Sequence, residues 1–540
     1  MALKTQTFNN FDLNNNPQIA DFLVGVCSDG SAEFKTPINR VGAYTTVQGT
    51  SSIQPILGGN TASGDYSVVS GGLNNVAGTQ YSAVVGGKNN QACSTAAGPN
   101  ASAFVGGGHD NCACGDWNPA VVGGAYNRAT GSNSFVGAGC GNHAYGYHSA
   151  IVGGTNNEIC NSVHESFIGA GRNNCLDTDG GYGYANVIAG GCSNSAYAGN
   201  NLYVNTISGG SDNCMCAGNL CGNTISGGYS NCILAGPIAE SNTISGGYGN
   251  CIDTFVTFAT TIGGGVNNTA SAYYASCSTI SGGSNNSVDG VAATISGGRN
   301  NCTSQGWAPT IAGGQNNYVH GGSSTIGGGK YNCVGGYQDG YDSCVHAGTI
   351  AGGDNNCITG NADASTIGGG CGNSNSGYAS TVSGGYCNHS RHSDYTVIGG
   401  GCRNTIHVNN HCSSILGGVG NDVRHDNSHI IGSSITTCQS DATFVQNIIS
   451  SGVVKSQAGA PNGSTGFTFN SDGGSDTGLF SYNYVDGYGN DGWVSLYSND
   501  QEVLQASNAA VNYIRIKDTT DGHTYNLQVT NGAPVLTQVS

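Results

Sequence analysis

Residues 206–214, 224–232 and 243–251 read TISGGSDNC, TISGGYSNC and TISGGYGNC. A unit that returns at a short, nearly constant interval outranks other fold signals, because each of its positions becomes a column in a stack. Upstream the same unit reads VVSGGLNN (68–75), VVGGKNN (84–90), FVGGGHDN (104–111), VVGGAYN (121–127), FVGAGCGN (135–142), IVGGTNN (151–157), FIGAGRNN (167–174) and VIAGGCSN (187–194). Its first position then becomes threonine at Thr206, Thr224, Thr243, Thr261, Thr279, Thr294, Thr310, Thr325, Thr349, Thr366, Thr381 and Thr396, and SILGGVGN (414–421) and IIGSS (430–434) close the series. The series amounts to about 22 turns.

The unit is too short, and too rich in Gly, Asn, Ser and Thr, for a helix pair. One coil of an elongated all-β solenoid, a β-roll, fits it. Alternation along a strand puts Ile207, Ile225 and Ile244 on the core face and the flanking Thr and Ser outside. Gly-Gly permits positive φ at a corner. Asn213, Asn231 and Asn250 tolerate the left-handed region, and their amides can bond the next coil. Cys214, Cys232 and Cys251 are expected to return a small group to the interior. Insertions fall between this slot and the next Thr-Ile, the part of a solenoid that often binds.

Composition narrows the function classes. Only 8% of the 540 residues are charged, 93 are glycine, and the net charge is −17. The 14 Lys and Arg form no basic stripe, which argues against nucleic acid. No apolar run reaches the length of a membrane helix, and MALKTQTFNNFDLNNN lacks a secretory pattern, so synthesis in a cytosol without membrane insertion is expected. That compartment favours thiols for the 23 cysteines, stacked as a packing ladder, over disulfides or zinc; CACG (112–115) and CMC (214–216) lack paired C-x2-C spacing. No metal and no cofactor are expected.

Two resemblances follow from these motifs. VSGGLNNVAGTQYSAVVGG (69–87) and VGAGCGNHAYGYHSAIVGG (136–154) resemble the β-roll repeat of trimeric autotransporter adhesin heads, with a variable period and many cysteines as departures. The flanks resemble tailed-bacteriophage tail fibres. PQIADFLVGVCSDGSAEFKTPINRV (17–41) is similar to their attachment region and SDATFVQNIISSGVVKS (440–456) to the segment leaving a repeat. GFTFNSDGGSDTGLFS (466–481), VSLYSNDQEVLQ (494–505) and IRIKDTTDGHTYNLQVTNGAPVLTQV (514–539) are similar to their distal parts. The resemblance implies a virion protein made in the host cytoplasm: a homotrimer docked on a tail or baseplate protein by residues 1–50, with a shaft over 51–439 and a distal head over 440–540 that meets a host glycan or protein.

Candidate ligand contacts are Tyr482, Tyr484, Asp486, Tyr488, Asp491 and Trp493 in SYNYVDGYGNDGW, because aromatic faces beside carboxylates suit sugars; the same rings could instead pack between chains. SDGGSDTG (471–478) and GGSDN (209–213) read as ordinary turns rather than calcium sites, and the histidines hold no single column. A capsule or lipopolysaccharide depolymerase would need paired carboxylates, for which Asp177 with Asp179 and Asp339 with Asp342 are candidates. An ice-binding solenoid would use the threonine column, with variable segments counting against it. Attachment without catalysis is the expectation.

Overall fold

The computed structural model describes residues 51–446, apart from 56–57, 95–101, 272–275, 339–340, 344 and 361, and the backbone of strands in both flanks. The chain falls into two compact units, residues 1–447 and 448–540. In the first, parallel strands wind into a β-solenoid of about 21 turns.

Most coils repeat one four-residue phrase twice: a residue at positive φ, a buried polar residue, an outward residue and an inward apolar one; Ala103, Pro119 and Ala293 replace the polar residue, and Asn375 and Ser390 the apolar one, in a few coils. Val204 (φ 55°), Asn205, Thr206 and Ile207 form one copy; Asp212 (φ 57°), Asn213, Cys214 and Met215 form the other. The left-handed residue turns the chain, and the two residues after the buried polar group pair with neighbouring coils. Two parallel ladders result. In the first, Thr206, Thr224 and Thr243 stack in register, as do Ile207, Ile225 and Ile244. The second aligns Cys214, Cys232 and Cys251, and beside them Met215, Ile233 and Ile252. The apolar columns of both ladders are buried and form the core between them.

At the Gly-Gly corner the second glycine has no room for a side chain. Gly228 sits at φ 91°, and a Cβ there would lie 2.2 Å from the Gly247 carbonyl oxygen of the next coil. The following residue forms a single bridge to its counterparts, as in Ser211, Tyr229 and Tyr248.

Buried asparagines seal this corner. Asn231 donates from Nδ2 to Gly227 O (2.9 Å) and, one coil on, to Gly247 O (3.0 Å). Its Oδ1 accepts from the Asn250 backbone N–H (3.0 Å) and Nδ2 (3.1 Å), while its own N–H donates to Asn213 Oδ1 (3.0 Å). Through its side-chain amide and its backbone N–H, Asn231 thus ties three coils together, each bond contributing about 0.5–1.5 kcal/mol net. Asn205, Asn223 and Asn242 repeat the device before the threonine column.

Several expectations are corrected here. The cysteines after Asn are not interior: Cys214, Cys302, Cys333 and Cys357 are half-buried on the outer face of the second ladder. The asparagine before them already points inward at the corner, so strand alternation sends Cys outward and the next residue in. The thiol ladder is also interrupted by two disulfides, Cys112–Cys114 and Cys232–Cys251. The left-handed conformation belongs to the residue before Asn213 and Asn231, namely Asp212 and Ser230. Thr396 leaves the threonine column: it is buried, bonded to Ser380 and Ser390, and Val397 takes the ladder position. The column therefore runs unbroken from Thr206 to Thr381.

Insertions lengthen the second ladder, as in Ser195–Tyr203 and Cys232–Glu240, and leave the first at two residues per coil from Val68 to Ile415. In the second unit, Ser464–Asn470, Asp476–Asp486 and Gly489–Leu496 form one antiparallel sheet, and Ile514–Lys517, Thr524–Thr530 and Ala533–Gln538 another.

Candidate functional site

The aromatic and acidic segment SYNYVDGYGNDGW is largely a hairpin. Its register sets Tyr482 opposite Trp493, Tyr484 opposite Asp491 and Asp486 opposite Gly489. Residues directly opposite and those two apart share a sheet face, so five of the six candidates fall on one face of the backbone register. Tyr488 lies outside the described residues.

Chemistry on the solenoid gathers on the flank of the second ladder. Its outward positions carry Arg128, His143, Glu158, Asp253, Asp289, His389 and Asp422. A polar depression of about 650 Å³ opens there, lined by Gln91, Asp110, Tyr126, Arg128 and His143 among others. Asp110 accepts from Asn89 Nδ2 at 2.9 Å and lies 3.1 Å from His109 Nδ1; these bonds, Asn89 first, hold its carboxyl below the usual range. The His109 and Tyr126 rings meet edge to face at 5.1 Å. An ionised acid, a guanidinium and a phenol ring around one hollow can engage a hydroxyl-rich ligand.

Beside this hollow the CACG motif gains a partner that sequence spacing does not reveal. Register brings Cys93 of the preceding coil to Cys114, with sulfurs 2.7 Å apart, and the sulfurs of Cys93, Cys112 and Cys114 lie within 4.8 Å of one another. The disulfide occupies two of them. Burial pushes the Cys93 and Cys302 thiols up, so these groups stay protonated and weakly nucleophilic at neutral pH.

Of the paired carboxylates, Asp177 faces outward on Cys175–Thr178, with Asp179 just past the strand end. The Tyr197 phenol, from the next coil, is pushed up first by burial and then by the Asp179 carboxylate. Asp339 lies outside the described residues, and of its partner Asp342 only the strand Tyr341–Ser343 is described. At the GGSDN turn Asp212 occupies the left-handed corner and accepts from Ser211 Oγ at 2.9 Å. Rings stack along the coils in places, Tyr229 on Tyr248 at 5.4 Å and Tyr147 on His164 at 4.7 Å.

What sequence reasoning missed is the second buried amide column; the signal was present as Asn before Thr-Ile at Asn205, Asn223 and Asn242. No helix among the described residues is long and apolar enough to cross a membrane. Scanned against family models the sequence finds no match, and a search of curated proteins finds no similar sequence.

Proposed function

We propose that the protein is an attachment fibre, a homotrimeric tail fibre of a tailed bacteriophage or related injection particle, which holds host-surface glycans without catalysis. The observation that carries this reading is the register-locked solenoid of about 21 turns. Its two ladders are tied by backbone and amide bonds at every coil, which makes a stiff spacer, and a stiff spacer serves reach. Sequence resemblance of the flanks supplies the virion context: residues 1–50 dock on the particle and residues 440–540 meet the host. Several identical chains side by side would multiply weak sugar contacts into avidity.

The test is adsorption of the purified full chain to an array of bacterial capsular and lipopolysaccharide glycans, followed by the double variant Tyr484→Ala/Trp493→Ala. Binding that falls at least tenfold while far-UV circular dichroism is unchanged supports the reading. Equal binding by parent and variant removes the distal hairpin from it, and absence of binding to every bacterial glycan removes the glycan. New reducing ends after incubation would instead make the chain a depolymerase, with Asp177 and Asp179 the residues to replace first.

A further inference from the structure

The outward face of the first ladder differs from every other surface of the solenoid. From Val68 to Leu416 neither of its two outward positions per coil carries a charged side chain. The second ladder and the bridge column do, with Arg128, Glu158, Lys88 and Lys330 as examples. Insertions also avoid this face.

Over coils 83–169 the two outward positions alternate in size. Phe104, Phe135 and Phe167 stand at the first position with Gly106, Gly137 and Gly169 at the second; in the coils between, alanine precedes Val85, Val122 and Val152. The Phe104 ring lies over its own strand, 3.5 Å from where a Gly106 Cβ would stand, and Phe135 and Phe167 repeat this at 3.4 Å. Phe with Gly and Ala with Val therefore present similar apolar volume at successive levels, which makes the surface even. These side chains remain open: Phe104 is 39% exposed and Val122 48%. The strip continues as the in-register threonine column from Thr206 to Thr381.

We infer that this face is where a second copy of the same chain docks, coil against coil, in the homotrimer of the preceding section; the inference rests on that reading and names its contact surface. Cyclic symmetry about an axis along the solenoid sets equal coils at equal height, so Phe levels meet Phe levels and Val levels meet Val levels. Under threefold symmetry the strips of the three chains line the common axis, where an uncharged, hydroxyl- and methyl-bearing surface brings no like charges together. The face is on the order of 100 Å long and about 10 Å wide. Each chain thus offers on the order of 1,000 Å², about half to each neighbour, so each pairwise contact buries on the order of 1,000 Å² in total, about the level a specific interface needs.

Native mass spectrometry and light scattering on the full chain test it. The parent is expected to run as three chains, with an assembly unchanged between 0.1 and 1 M salt. Val122→Arg/Ser226→Arg places charge on the face without touching the core and is expected to weaken association by about 100-fold or more, leaving single chains with unchanged circular dichroism. Asp253→Arg, on the second ladder, should stay three-chained. A trimeric parent whose Val122→Arg/Ser226→Arg variant is also trimeric overturns the assignment of the face but leaves the homotrimer. A monomeric parent overturns both; if that monomer also shows thermal hysteresis, the threonine strip faces ice.

Discussion

Asn231 stands at the point where three coils share hydrogen bonds, so its replacement strands partners as well as removing a side chain. Asn231→Ala deprives the Gly227 carbonyl and the Asn250 N–H of their partner, while the Gly247 carbonyl keeps the Tyr229 N–H. Each buried orphan costs about 1–3 kcal/mol. We expect a loss of roughly 2–4 kcal/mol, read as faster hydrogen exchange in coils 206–265 with distant coils unchanged. The histidines give a second residue-scale expectation. Partial burial is the first cause that holds the His143, His164 and His389 imidazoles below the ordinary value of 6.5. The unfolded chain then binds more protons than the folded one, so stability is full above pH 6.5 and falls as pH drops below it toward the folded values. Melting temperature should decline on acidification from pH 7 to 5, and His143→Gln/His389→Gln should flatten that slope; an identical slope in the variant would refute it. These burials were beyond sequence reading, because the histidines occupy no common column and each one's exposure depends on its neighbours in adjacent coils.

At the scale of the corner, two adjacent glycines have different duties. Gly123 has nothing within 4 Å of a Cβ position, whereas Gly124 sits at φ 90° with the Gly139 carbonyl oxygen 2.1 Å from where a Cβ would stand. Gly123→Ala should leave thermal stability within about 0.5 kcal/mol. Gly124→Ala meets a left-handed penalty of about 1–3 kcal/mol together with a backbone clash that only displacement of the next coil relieves. Equal melting of the two variants would count against the corner geometry. Sequence reading found the Gly-Gly corner and the Ile207, Ile225 and Ile244 core column, since both follow from local conformational rules. It misplaced the cysteines, because the phase of alternation in the second strand depends on which residue leaves the corner first. Without the ladder, Asn213 could have been the turn residue; with it, Asp212 turns and Asn213 points in.

For the solenoid as a body, coils are interchangeable if stability is local to neighbouring turns. Removing residues 294–309 joins the coil of Thr279 directly to Thr310, both already in the same register column. We expect this deletion to fold and to shorten the solenoid by roughly 4.8 Å. Removing only 294–301, a half coil, would set first-ladder residues against second-ladder ones and should abolish cooperative melting. Comparable melting of both deletions would refute the column description.

The amino-acid sequence by itself determined that the chain coils, how long each winding is and which isoleucines line it, because spacing, strand alternation and glycine's access to positive φ act within a few residues of one another. Only the tertiary structure decided that each winding contains two equivalent halves, that Cys214, Cys232 and Cys251 look outward, that Cys93 meets Cys112 and Cys114, and that one entire face carries no charge. Those features are set by register between residues one winding apart, where parallel hydrogen bonding between coils, rather than any local preference, fixes what stands beside what.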